Sequence, residues 1–268
     1  MNQPPMDTPL ATRFECSPNH GERRAGARIA AIILHYTGLR DDALDQWCAD
    51  PGGESLRWLC AAESQVSSHY LIQLNGEIVQ LVPEARRAWH AGAGSWKDWR
   101  DLNSWSIGIE IVNTGHSGGL PAYPDAQIDS VINLCADIAA RHSIASELIL
   151  AHSDIAPARK ADPGEHFPWE RLHRAGIGHW IAPVALRDGP ALGPGDSGAE
   201  VAALQRQLSA YGYGIEASGL YDTATMHTVR AFQRHFRAGL VDGLADVSTR
   251  DTLAALIAAL PSYSAATA

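Results

Sequence analysis

The stretch Arg28–Gly38, "RIAAIILHYTG", constrains the architecture more than any other part of this chain. From Ile29 to Leu34 it is continuously apolar and rich in β-branched residues, with no polar alternation. Such a run predicts a strand covered on both faces, so other elements must pack above and below it. The run ends on His35, a titratable side chain delivered to the tip of a buried strand.

The flanking segments supply partners for that strand. "SHYLIQLNGEIVQLVP" (68–83) sets Asn75-Gly76 between two strand-like runs, which predicts a hairpin with a type I′ turn. "SWSIGIEIVN" (104–113) alternates. Ile107, Ile109 and Ile111 share one face, while Ser106, Gly108, Glu110 and Val112 share the other. "YPDAQIDSVINLCADIAARH" (123–142) predicts a helix capped by Asp125, with Ile128, Val131, Ile132, Cys135 and Ile138 as its buried stripe. His142 falls at its C-terminal end, where a cation suits the helix dipole. "ELILAHSD" (147–154) predicts a short strand ended by His152. The expected fold class is α/β, a mixed central sheet flanked by helices. His35 and His152 then both lie beyond the carboxyl ends of apolar strands, the edge where open α/β sheets place ligands.

The chain has 268 residues, 46% of them hydrophobic, and a formal net charge of -9. That charge argues against nucleic acid as a partner, since phosphate binding relies on Lys and Arg. No apolar run is long enough for a transmembrane segment. The N-terminal stretch lacks a basic region followed by an apolar one, so no secretory signal is read there. This makes the cytoplasm the default location and the periplasm or envelope the alternative. Cys16, Cys48, Cys60 and Cys135 are scattered and read as free thiols, although Cys48 and Cys60 could meet in space. A monomer is expected.

Beyond about residue 175 the composition changes. "GIGHWIAPVALRDGPALGPGDSG" (176–198) is rich in Gly and Pro and reads as a linker. "VAALQRQL" and "VRAFQRHF" then share one pattern, placing Val201 against Val229 and Gln205 against Gln233 as a weak repeat. Three apolar stripes follow: Val201, Leu204 and Leu208; Val229, Phe232 and Phe236; Leu253, Leu256, Ile257 and Leu260. The expected organisation is an N-terminal extension (1–27), an α/β domain (28–178), a linker (179–194) and a small three-helix domain (195–262).

The chemistry-bearing residues concentrate near the two strand tips. His35, His152 and Asp162 are candidate ligands for a metal that keeps one position open. His166 lies in the same loop and is the rival to Asp162. Lys160 is a cation that could stabilise an oxyanion, or a solvated surface residue. Glu110 could take a proton from a water, or be a hydrogen-bonded or edge-strand carboxylate. His69 and His90 suit either a cleft or packing against the sheet. Trp89, Trp96, Trp99 and Trp105 suit either a rim or core anchors. Asn103 could order that tryptophan-rich loop. Arg159 could hold an acidic group of a substrate or pair with Asp154.

"ILHYTG", "SSHYLI", "AWHAG", "SIGIEIVN" and "AHSDIAPARKADPG" occur in this order. Together they resemble the zinc-dependent N-acetylmuramoyl-L-alanine amidases of the amidase-2 family, over roughly residues 28–175. That family is related in fold to phage T7 lysozyme and peptidoglycan recognition proteins. The segment "GDSGAEVAALQRQL", with "GLYDTATMHTVRAFQRHF" and "DGLADVSTRDTL", resembles the three-helix peptidoglycan-binding domain. The resemblance implies Zn2+ held by His35, His152 and Asp162, with Glu110 as general base and Lys160 as oxyanion stabiliser. His69, Trp89, His90, Asn103 and Arg159 are candidate substrate contacts. The implied partner is peptidoglycan or a muropeptide, cut between N-acetylmuramic acid and L-alanine. The competing readings are a non-catalytic recognition protein and a zinc peptidase acting within the stem peptide, although no H-E-x-x-H helix is present.

Overall fold

The run that opens in Arg28–Gly38 forms β3 (Ala31–Tyr36), an interior strand of a six-stranded sheet, one in from its edge. A computed structural model describes residues 5–39 and 49–260. The other strands of this sheet are β1 (Arg13–Phe14), β4 (Tyr70–Ile72), β5 (Ile78–Gln80), β7 (Ser106–Ile111) and β8 (Ile149–Ala151). Their order is β1-β5-β4-β7-β3-β8. β4, β7, β3 and β8 run parallel, β5 runs antiparallel to β4, and β1 is parallel to β5. β2 (His20–Glu22) and β6 (Arg86–Ala88) form a separate antiparallel pair.

The helices are α1 (Pro51–Cys60), α2 (Leu102–Trp105), α3 (Asp125–His142), α4 (His152–Ile155), α5 (Trp169–Arg174), α6 (Ala199–Tyr211), α7 (Thr223–Phe236) and α8 (Val247–Ala258). Among the described residues none is long and apolar enough to cross a membrane.

The strand alternation decides which layer covers which face. Ile32 and Leu34 join Ile107, Ile109 and Ile111 on one face, where they pack with α3 and α5. The opposite face is divided. Ile33 and Leu150 pack in one cluster with residues of α6, α7 and α8. Leu71, Val79 and Val112 pack with Leu59 of α1 in another. Between these two clusters the face carries Gly108, Glu110 and His35 rather than apolar side chains. A cleft therefore opens where the two covering layers part.

Several local expectations are corrected. The hairpin between β4 and β5 is present, but its turn is not type I′. Gly76 (φ 86) is left-handed and Asn75 is not. Gly76 N donates to Gln73 O, the arrangement of a three-residue loop closed by a Gly bulge. Asp125 does not cap α3. Pro124 holds the cap position, and Asp125 lies in the first turn, paired with Arg171. Leu134, not Ile132, completes the fully buried stripe, and Ile132 is only partly covered. Glu110 lies on β7, between β4 and β3, so it is not an edge-strand residue. The N-terminal segment expected as an extension contributes β1 and buries Phe14.

The segment expected as a linker is packed rather than free. Trp180 and Ile181 are partly buried against the core, and Leu192 bridges to Ala245. Trp96 is fully buried at this junction, against Tyr211 and Tyr213. A Cβ at Gly212 would lie 2.4 Å from the Trp96 ring, so the close approach requires glycine there. The weak repeat has a physical basis. Gln205 bonds Gly219 N, Leu220 O and Thr225. Gln233 bonds Gly243 N, Leu244 O and Thr249 in the same way. Each glutamine fastens a Gly-Leu turn to the start of the next helix. Asp222 and Asp246 cap those helices.

Among the described residues Cys16, Cys60 and Cys135 are free thiols. Cys48 lies outside the described residues, so its pairing with Cys60 is not addressed.

Candidate metal centre and active site

β3, β7 and β8 deliver their carboxyl ends side by side. His35 is the penultimate residue of β3 and lies opposite Glu110 of β7. His152 follows β8 directly and begins α4. After α4 the chain turns back, and Ser153 N donates to Asp162 O at 3.0 Å. That bond brings Asp162 under the two histidines.

His35 Nδ1 lies 2.9 Å from His152 Nδ1 and 3.1 Å from Asp162 Oδ2. His152 Nδ1 lies 2.9 Å from the same oxygen. All three residues are buried. Three donor atoms of nitrogen and oxygen type thus converge on one point, as a small cation requires. The rival His166 is exposed and contacts Leu120 O instead. Burial, then the neighbouring His152, brings the His35 imidazole down to about 4, so it is the neutral, ligating form that is favoured. Burial works against ionisation of Asp162, but His152 and His35 outweigh it and hold that carboxyl far below the usual range.

Glu110 opens to the cleft, but its carboxylate tip is enclosed, and Oε2 has no hydrogen-bond partner. Burial, reinforced by the charge of Asp162, pushes its pKa well up. A buried carboxylate without a partner is costly to keep. It is also well suited to accept a proton from a group that enters the cleft. Lys160 lies on the same cleft, half-buried. The cavity measures about 240 Å³ and is walled by Tyr36, Trp58 and Trp89.

The candidate contacts divide. Trp89 and His90 line the cleft. His69 does not: it is fully buried, with Nδ1 accepting from Gly108 N at 3.0 Å. Burial, with the Arg23 charge, brings it down to about 3, so it packs under the sheet as a neutral ring. Asn103 is also behind the cleft wall, where Oδ1 accepts from His90 N and Ala91 N. Arg159 does not pair with Asp154; it donates to Ala91 O and Ala93 O. The tryptophan cluster separates too. Trp96 is a core anchor, and Trp99 stacks on Trp105 with centroids 5.6 Å apart. Tyr36 and Trp58 join the cleft without a signal in the sequence that marks them. Tyr36 directly follows His35 on its strand, and Trp58 sits on α1, which carries no motif.

Comparison with known proteins follows the same division of the chain. The family model for N-acetylmuramoyl-L-alanine amidase matches residues 25–165. A peptidoglycan binding domain model matches residues 197–253. The N-acetylmuramoyl-L-alanine amidase AmiD of Escherichia coli is 38% identical over 256 residues, 91% of this chain and 88% of that protein. The solved complex of AmiD with anhydro-N-acetylmuramic acid-L-Ala-D-gamma-Glu-L-Lys superposes with a TM-score of 0.69 at 37% identity, covering 88% of this chain and 92% of that one. AmpDh3 of Pseudomonas aeruginosa, in complex with an anhydromuramic pentapeptide, gives a TM-score of 0.64 at 30% identity, over 86% and 91% of the two chains.

Proposed function

This chain belongs to the N-acetylmuramoyl-L-alanine amidase family, and from that membership we propose how its own residues carry the reaction. It is an amidohydrolase of cell-wall turnover or recycling, cleaving the amide between N-acetylmuramic acid and the L-alanine of the stem peptide. Two solved relatives hold anhydromuramyl peptides, which supports a muropeptide as the substrate here.

His35 Nδ1, His152 Nδ1 and Asp162 Oδ2 would hold the metal, and the donor set of two imidazoles and one carboxylate suits zinc. When bound, zinc supplies Lewis-acid polarisation and makes a water acidic near neutral pH. Glu110, through its unpartnered Oε2, is placed to take a proton from a water that attacks the lactyl carbonyl carbon. It then returns the proton to the nitrogen of L-alanine as the C–N bond breaks. Lys160, on the cleft wall, stabilises the negative charge that gathers on the carbonyl oxygen. Trp58 and Trp89 line the cavity and would shield the reacting bond from bulk water.

The observation that carries this reading is the convergence of three ligand atoms beside an orphaned, buried carboxylate. Glu110→Gln should lower turnover by roughly 10²- to 10⁴-fold while zinc content stays at the wild-type level. Mass spectrometry of digested muropeptides should show intact stem peptide with a free L-alanine amine. Unchanged turnover would remove Glu110 from its role. Shortened stems still joined to sugar would favour a peptidase.

A further inference from the structure

A histidine ligates a metal through a ring nitrogen with a free lone pair, so its proton must sit on the other nitrogen. The outward contact of each ring therefore decides whether the inward nitrogen is available. His35 turns Nδ1 toward His152 and Asp162, and its Nε2 lies 3.0 Å from His90 Nδ1. His152 also turns Nδ1 inward, and its Nε2 lies 3.1 Å from Ala91 O. Both outward contacts are made by consecutive residues of one segment.

We infer that His90-Ala91 is the outer layer of the metal centre: it accepts the Nε2 protons of both metal-facing histidines and so keeps both Nδ1 lone pairs turned inward. This rests on the reading of His35, His152 and Asp162 as ligands. A carbonyl oxygen can only accept, so Ala91 O selects the Nε2-protonated form of His152. His90 must accept at Nδ1, which places its own proton on Nε2, 3.4 Å from Ser106 Oγ. The Ser106 hydroxyl in turn donates to Leu102 O at 2.6 Å. The donors thus run in one direction, away from the ligands.

The segment is fixed from both sides. Asn103 Oδ1 accepts from His90 N at 3.0 Å and from Ala91 N at 2.8 Å. Arg159 Nη2 donates to Ala91 O at 3.1 Å and to Ala93 O at 2.6 Å. Ala91 O therefore receives two donors, one for each lone pair. The His90 ring lies over Gly108, where a Cβ would come within 2.3 Å of the ring. Any other residue there would move the ring off His35. Asn103 and Arg159 are positioning residues on this account, not substrate contacts, and His90 acts through His35.

The test measures zinc affinity of the full chain by competition with a chromogenic chelator, alongside melting of the metal-free protein, kcat and KM. His90→Leu removes the acceptor and should weaken zinc binding roughly 10- to 100-fold. His90→Asn puts a side-chain acceptor back near the Nδ1 position and should recover most of that loss. Arg159→Ala alters an exposed side chain and should weaken zinc by a smaller factor, with metal-free melting and KM unchanged. It carries the test if His90→Leu does not fold. Wild-type zinc affinity in the variants that fold, with a raised KM, would overturn the inference and return these residues to substrate binding. A wild-type chain that takes up no zinc would instead overturn the ligand reading, and this inference with it.

Discussion

Asp154 lies on α4 and Asp162 in the loop that follows it, and each faces a buried histidine at nearly the same distance. Asp162 Oδ2 is 2.9 Å from His152 Nδ1, and Asp154 Oδ2 is 2.7 Å from His235 Nδ1. The surroundings differ. Asp154 also accepts from Ala151 N and from the Tyr213 hydroxyl, both at 2.8 Å, and is fully buried. His235 is covered by Trp169, with ring centroids 3.6 Å apart. At Asp162 one oxygen faces two imidazoles, a cavity opens beside them, and Glu110 Oε2 nearby has no partner. The pair chemistry is the same in both places. A filled set of partners makes a structural joint, whereas the unfilled, converging set beside a cleft is the arrangement proposed here as the reaction centre.

The contrast can be broken most sharply at the unfilled pair. His152→Ala, or removal of the metal by a chelator, should lower hydrolysis by at least about 10³-fold, with melting of the metal-free protein little changed. Retention of a tenth of the activity would show that the converging set is not the reaction centre. The filled pair should respond in the opposite sense. Asp154→Ala leaves a buried histidine and a Tyr hydroxyl without their acceptor, and should cost about 3–5 kcal/mol in denaturant unfolding. A variant as stable as wild type would make Asp154 dispensable as a joint.

A third acid–histidine pair sharpens the comparison through pH. Glu84 is buried and lies 2.6 Å from His142, with Arg141 and the Tyr70 hydroxyl on the same carboxylate. Burial works to raise its pKa, but Arg141, Tyr70 and His142 outweigh it and bring it down to about 2 from an ordinary 4.5. The folded value lies below the unfolded one, so the stabilisation is present above pH 4.5 and is lost as pH falls toward 2. Glu84→Gln should therefore be less stable than wild type at pH 7, by on the order of 3 kcal/mol. That gap should narrow between pH 4.5 and 2. A gap independent of pH would mean that the ion pairs are not its source.

Much of the architecture is legible locally. The unbroken apolar run at Ile29–Leu34 and the alternation at Ser106–Ile111 prescribe strands and their faces, because side chains alternate with a period of two. The three C-terminal stripes prescribe helices for the corresponding reason. Asn75-Gly76 does not form the expected type I′ turn because Gly76 alone takes the left-handed conformation. Asp125 is not the expected cap because Pro124 already ends the preceding segment. The segment expected as a linker packs because Gly and Pro report backbone freedom and not burial. Trp180 packs against both core clusters, and Ile181 finds apolar partners in the one that α6, α7 and α8 build against the sheet.

By itself the sequence determined the strands β3, β4, β5, β7 and β8, the helix α3 and the three C-terminal helices, most of their buried residues, and the stock of acids and histidines in the segment from Ala151 to Trp169. Those follow from local periodicity and residue chemistry. Only the tertiary structure decided which acid meets which histidine. His35 and His152 are 117 residues apart, and Asp154 and His235 are 81 apart. The same structure gave His90, Asn103 and Arg159 their places behind His35 and His152, the proposed ligands, which their side-chain types alone left open. Pairing at such separations is set by how sheet and helices pack, since burial selects the arrangement in which each polar atom finds a partner. Glu110 Oε2 is among the buried atoms that the packing leaves without a hydrogen-bond partner, and it lies at the cleft.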